Sequence, residues 1–131
     1  MSKGEKPIYA ELSYTINGIL FSVHNELGRY RNEKQYADAV ETYLKTYKIV
    51  YDRERVAPIS FLGETERRNK IDFLIEDKVI LELKAKRIIE KEDYYQVKRY
   101  LASLGKKLGI LVNFRDKFLK PRRILNSVAD A

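Results

Sequence analysis

The chain has 131 residues, 44% of them hydrophobic and 34% charged, and a formal net charge of +7. That length suits one domain with a hydrophobic core and excludes two. The absence of cysteine excludes disulfides, thiolate metal sites and cysteine nucleophiles, and a single histidine, His24, excludes a histidine-rich zinc site or a histidine dyad.

In chain order, the polar opening Met1-Ser2-Lys3-Gly4-Glu5-Lys6-Pro7 is not followed by the apolar stretch of a signal peptide, and no segment reaches the length of a membrane-spanning helix. A cytoplasmic protein without membrane association is expected, with residues 1–7 and 126–131 as flexible ends of one domain over 1–131. A first helix is predicted over residues 11–27, where Leu12, Ile16, Ile19, Leu20, Val23 and Leu27 recur at helical spacing and Gly28 supplies a stop. His24 lies at the edge of that stripe and reads as a packing or surface residue. Asn32 can cap a second helix over 33–47, with Tyr36, Val40, Tyr43, Leu44 and Tyr47 on one face. Residues 49–61 are β-like, carrying Val50, Val56, Ile59 and Phe61 with an interruption at Pro58. A charged turn over 63–69 leads into a hairpin over 71–84. A third helix over 90–104 turns Val97, Leu101 and Leu104 inward and ends at Gly105. The wholly apolar run over 109–114 reads as a central strand, 115–123 as a basic tail, and 124–131 as a last partial helix. The order ααβββαβ implies an α/β fold with a mixed sheet flanked by helices.

The hairpin carries the most chemistry. Lys70-Ile71-Asp72-Phe73-Leu74-Ile75 and Val79-Ile80-Leu81-Glu82-Leu83-Lys84 are apolar strands joined by Glu76-Asp77-Lys78. A three-residue turn puts Ile75 opposite Val79 and therefore Asp72 opposite Glu82; an even-length turn would put Asp72 opposite Leu83. Like charges directly opposed repel, and a divalent cation between them would convert that repulsion into binding. The competing reading is an amphipathic hairpin whose Asp, Glu and Lys face water. The unbroken Val79-Ile80-Leu81 run opposes it, because it suggests a strand covered on both faces. Charge is also segregated: residues 84–123 hold 13 Lys/Arg against 4 Asp/Glu, a balance of +9 that leaves −2 for the rest. That is either a basic face for a polyanion or a solvated lysine-rich surface.

The order of elements with Asp72 … Glu82-Leu83-Lys84 resembles the PD-(D/E)XK nuclease superfamily, with its restriction-endonuclease-like core, and more narrowly the GxxExxY family within it. The resemblance rests also on His24-Asn25-Glu26-Leu27-Gly28, Glu33-Lys34-Gln35-Tyr36, Tyr95-Gln96-Val97-Lys98-Arg99-Tyr100-Leu101 and Leu108-Gly109-Ile110-Leu111-Val112-Asn113-Phe114, and spans about residues 12 to 125. Tyr30 stands where that family's name has glycine, so only Glu33 and Tyr36 of the signature remain, and Ile71 precedes Asp72 in place of proline.

What the resemblance implies is a hydrolase: a Mg²⁺-dependent nuclease, with Mn²⁺ as a substitute, acting on nucleic acid, DNA favoured over RNA. Asp72 and Glu82 would be the metal carboxylates, the Leu83 backbone carbonyl a further oxygen ligand, and Glu33 an additional one, direct or through water. Glu26 is the less favoured alternative to Glu33, which is also simply a good first-turn helix residue. Lys84 would orient the attacking water and the phosphate, and Gln96 would orient substrate or water, or only bridge backbone groups. Lys86, Arg87, Lys98, Arg99, Arg122 and Arg123 are candidate nucleic-acid contacts. The alternatives are a catalytically silent nucleic-acid-binding module that keeps the fold, or a structural or regulatory protein. So small a domain has limited surface for gripping a duplex, which leaves room for a homodimer.

Overall fold

The computed structural model describes residues 7–59 and 61–126. Its elements are α1 (Ala10–Leu27), α2 (Glu33–Thr46), β1 (Tyr51–Val56), β2 (Lys70–Ile75), β3 (Val79–Lys84), α3 (Lys91–Leu104), β4 (Leu108–Asn113) and β5 (Arg122–Leu125). The five strands form one mixed sheet in the order β1-β2-β3-β4-β5. Only β3 and β4 run parallel, joined through α3 as a parallel pair requires; β1–β2, β2–β3 and β4–β5 are antiparallel.

The alternation of side chains along the strands builds two apolar layers. Val79, Leu81 and Leu83 of β3, with Leu108, Ile110 and Val112 of β4, pack under Ile16, Ile19, Leu20 and Val23 of α1 and Tyr36, Val40 and Leu44 of α2. On the other face Ile80 and Leu111 pack with Val97, Tyr100 and Leu101 of α3. β3 and β4 are thus covered on both sides, as their unbroken apolar runs demand. Gly109 lets α3 lie close to the sheet: a Cβ there would come within 2.5 Å of Val97 Cγ1.

Local signals set the helix ends. Asn32 caps α2 through a reciprocal box, its Oδ1 accepting from Gln35 N (2.9 Å) while Gln35 Oε1 accepts from Asn32 N (3.0 Å). Glu90 and Asp93 make the equivalent box at α3, and Gly105 ends that helix in the left-handed region, φ 64°.

Two readings of the sequence are corrected. The first strand is Tyr51-Asp52-Arg53-Glu54-Arg55-Val56, a charged edge, and it does not continue to Phe61. Ala57 N still bonds Asn69 O (2.9 Å), but Pro58 has no N–H to extend the ladder. The C-terminal segment is not helical over 124–125: β5 pairs with β4, Ile124 opposite Gly109, and buries Ile124. Residues 127–131, and with them the rest of the expected helix, lie outside the described residues, as do residues 1–6 of the expected flexible start. Among the described residues, no helix is long and apolar enough to cross a membrane.

Candidate active site

The hairpin register is the one expected from a three-residue turn: Ile75 pairs with Val79, Leu74 with Ile80 and Phe73 with Leu81. Glu76 and Asp77 take left-handed backbone to make the reversal, and Lys78 N donates to Ile75 O (3.0 Å). Beyond Phe73 and Leu81 the main-chain ladder stops and carboxylates take over. Glu82 Oε1 accepts from Asp72 N (2.9 Å), and Asp72 Oδ2 accepts from Leu83 N (2.7 Å). The fork therefore opens without orphaning either N–H. On the other side of β2, Glu54 stands between the Arg53–Phe73 and Arg55–Ile71 pairs with φ 57°. Past the fork Ile71 joins the α3-side cluster, although strict alternation would put it with Phe73 and Ile75.

Glu82 is 3% exposed and Asp72 partly buried. Burial, then the charge of Asp72, pushes the Glu82 carboxyl well above the usual carboxylate range, against the Asp72 N–H bond and the Lys84 charge. Asp72 is also raised, by burial first, with the Leu83 N–H and Lys84 opposing. Two carboxylates that resist ionising together form a pair that favours holding one proton between them. Tyr100, over the same pair, is pushed up to about 12 by burial and by the charges of Glu82 and Asp72.

Lys84 ends β3 beside α3, where its Nζ donates to Gln96 Oε1 (3.0 Å) and lies 3.9 Å from Asp93 Oδ1. Glu33 opens α2 and lines, with Lys34, Ala37, Arg53, Glu54, Asp72 and Leu83, a cavity of about 180 Å³. Burial raises the Glu33 carboxyl; Lys84 opposes this and Asp72 adds to it. Asp72, Glu82, Leu83, Lys84, Gln96 and Glu33 thus gather at one end of the sheet. Glu26 is elsewhere, receiving a hydrogen bond from Tyr43 Oη.

The candidate nucleic-acid contacts are less uniform. Arg87, Lys98, Arg99 and Arg122 are exposed. Lys86 Nζ is held by Asp93 Oδ2 (3.0 Å) and Glu90 Oε1 (3.2 Å). Arg123 spends its guanidinium on Ser13 Oγ (2.6 Å) and Ile8 O (2.8 Å). His24 is structural, its Nε2 2.9 Å from Asp116 O.

Sequence reasoning missed two supporting residues. Asp93, 7% exposed, accepts from Glu90 N (2.8 Å) and from Lys86; burial works to raise its pKa, but those bonds win and it is lowered. Asn113, 2% exposed, bridges strand ends: Lys86 N donates to its Oδ1 (3.0 Å) and its Nδ2 donates to Lys86 O (2.7 Å). A capping-box spacing at Glu90 and Asp93 was the signal available for the first; nothing in the apolar run around Asn113 marks the second.

A family model described as PD-(D/E)XK nuclease superfamily matches residues 10–124. The chain belongs to the PD-(D/E)XK nuclease superfamily. Neither the curated proteins nor the solved structures give a significant match. The mixed sheet flanked by helices accords with the restriction-endonuclease-like fold of that superfamily. The donor set at the fork, buried carboxylate oxygens, is of the kind a hard divalent cation takes. Among the described residues, however, no three His, Cys, Asp or Glu side chains converge as a metal-holding group.

Proposed function

We propose that this PD-(D/E)XK protein is a metal-dependent nuclease of the GxxExxY type, hydrolysing phosphodiester bonds of nucleic acid, DNA most of all. The observation that carries the reading is the buried Asp72–Glu82 pair, whose carboxyls are both raised by burial next to Lys84. Two acids forced together in a partly dry site cost stability, and perturbed pairs of this kind concentrate where chemistry is done.

Asp72 and Glu82, with the Leu83 carbonyl and Glu33 direct or through water, would hold Mg²⁺ (or Mn²⁺), which when bound supplies charge neutralisation for the phosphate and a more acidic water. Lys84, steadied by Gln96 at 3.0 Å, offers an ammonium to the phosphate oxygens and the attacking water. Asp93, 3.9 Å from the same ammonium, keeps that side chain aligned. Tyr100 stays a phenol at neutral pH and walls the carboxylate pair from α3.

The test is calorimetric titration of Mg²⁺ and Mn²⁺ into the wild type and the Asp72→Asn/Glu82→Gln variant, followed by cleavage assays on DNA and RNA. Metal binding that is lost in the double variant, with cleavage lost in Lys84→Ala, is expected. Cleavage that survives a chelator would overturn the reading. A second reading, a nucleic-acid-binding module without turnover, is favoured by the lack of a converged three-residue metal group among the described residues; it predicts salt-sensitive binding with no product in any divalent metal.

A further inference from the structure

The loop between α1 and α2 meets the end of β4 in an arrangement that the carboxylate site does not use. Arg29 Nε donates to Arg115 O (2.8 Å), and Arg115 Nε donates to Arg29 O (3.0 Å). Both guanidinium carbons lie over the ring of Tyr30, at 5.3 Å and 5.6 Å from its centroid. Two like charges are thereby held, half-buried, against one aromatic ring.

Among the described residues neither guanidinium has an ion-pair partner. Other held cations do have one: Arg53 has Asp38 and Glu41, Lys86 has Glu90 and Asp93, and Lys106 has Asp77, whereas Arg123 is held by Ser13 and the Ile8 carbonyl. Each arginine satisfies one carbonyl through Nε, which fixes the planes of the forks and, among the described residues, leaves the Nη groups without a protein acceptor. Fixed, unneutralised guanidinium forks suit a bidentate oxyanion such as phosphate.

The pair is also rigidly joined to the candidate site. Phe114, next to Arg115, donates its N–H to Lys84 O (2.8 Å) and stacks on Tyr36 at 4.2 Å. Tyr36 Oη in turn donates to Gly28 O (2.6 Å) and accepts from Arg31 N (3.2 Å), bracketing the loop that holds Arg29 and Tyr30 and leads into Glu33.

From this geometry we infer that Arg29 and Arg115, held by Tyr30, form a clamp for a nucleic-acid backbone phosphate flanking the scissile one. The identity of the ligand rests on the nucleic-acid reading above; the clamp itself does not require turnover. It sets where along a strand the backbone is gripped and contributes affinity without base sequence preference.

The test is fluorescence anisotropy of a labelled oligonucleotide duplex in EDTA, across roughly 50–200 mM salt. Arg29→Gln and Arg115→Gln should each reduce the slope of log K against log salt by about 1, and the double variant by about 2. Tyr30→Leu should weaken binding several-fold with the slope kept; the Tyr30 side chain is 75% exposed, so this variant tests the clamp without touching the core. Lys45→Gln, at the far end of α2, controls for net charge. A double variant that melts like the wild type and keeps its slope overturns the clamp, as does an equal loss in Lys45→Gln, full affinity in Tyr30→Leu, or a wild type that binds no oligonucleotide. The nuclease reading fails separately: an intact clamp effect with no cleavage in Mg²⁺ or Mn²⁺ removes turnover alone, and cleavage with unchanged slopes removes the clamp alone.

Discussion

Gly109→Ala should destabilise the protein through a single clash, and Val97→Ala should relieve it. A Cβ at position 109 would stand 2.5 Å from Val97 Cγ1, 3.6 Å from Leu101 Cδ1 and 3.7 Å from Ile80 O. Ordinary carbon contacts lie at about 3.5–4.0 Å, so at least about 1 Å of movement is needed. Val97 is fully buried, and a β-branched residue in a helix has essentially one rotamer, so the side chain cannot swing away and α3 must lift from the sheet. Overpacking of this kind costs about 1–3 kcal/mol, or about 3–5 °C in Tm for each kcal/mol at this chain length. Val97→Ala alone should cost about 1–2.5 kcal/mol in lost burial. With both substitutions the new methyl occupies space that Val97 vacates, so the double variant should be more stable than the sum of the singles by about 1–2 kcal/mol. Urea denaturation of the four proteins measures this. Additivity within about 0.5 kcal/mol would refute the close-approach reasoning. The same lift would carry Gln96 away from Lys84, stretching a 3.0 Å hydrogen bond beyond range, so Gly109→Ala should mimic Gln96→Ala in any activity and Val97→Ala should partly restore it.

Asn113→Ala should cost about 1–3 kcal/mol in chemical denaturation, because it strands half-buried main-chain groups of Lys86 and removes an acceptor for Arg115 N; a change below about 0.5 kcal/mol would show that water replaces the side chain. Glu41 has its carboxyl lowered, first by the Tyr51 hydroxyl (2.8 Å), with burial opposing and Arg53 assisting. A depressed acid stabilises the fold above its unfolded pKa and loses that contribution as the pH falls through the folded value. Tyr51→Phe should therefore reduce stability by about 0.5–1 kcal/mol at pH 7, with the difference shrinking toward acid pH; a difference that stays constant from neutral to strongly acid pH would refute it.

How legible the fold was in the sequence differs from element to element for physical reasons. The hairpin could be read to the residue because a polar Glu76-Asp77-Lys78 punctuates two apolar runs, and each strand is buried along most of its length. β1 could not, because hydrophobicity misleads at an edge. Val50, Ile59 and Phe61, which suggested the strand, are 69%, 45% and 62% exposed, while the true strand carries four consecutive charges. β5 is four residues long with Ile124 alone buried, too short for a periodic signal. At the site, hairpin register alone sets Asp72 opposite Glu82, while Lys84 and Gln96 enter only through the resemblance to the superfamily. The Arg29–Arg115 pair, 86 residues apart and joined through main-chain carbonyls and the Tyr30 ring, leaves no such trace.

The fork between β2 and β3 ties structure to chemistry in a way that dictates how the site must be probed. An antiparallel pair that parts in a sheet interior should expose two main-chain donors, and here each is taken by a carboxylate oxygen of the opposite strand. The carboxylates are therefore both the latch of the fork and the charged donors of the candidate site. Alanine at either position removes both functions at once, leaving an N–H of Asp72 or Leu83 unpaired at a cost of about 1–3 kcal/mol. An amide keeps the carbonyl acceptor and deletes only the charge. Asp72→Asn/Glu82→Gln should thus hold the fork, relieve the mutual repulsion that raises both groups, and abolish cation binding, whereas the double alanine variant should lose stability and binding together. Only the amide pair separates a site that binds nothing from a sheet that has come apart.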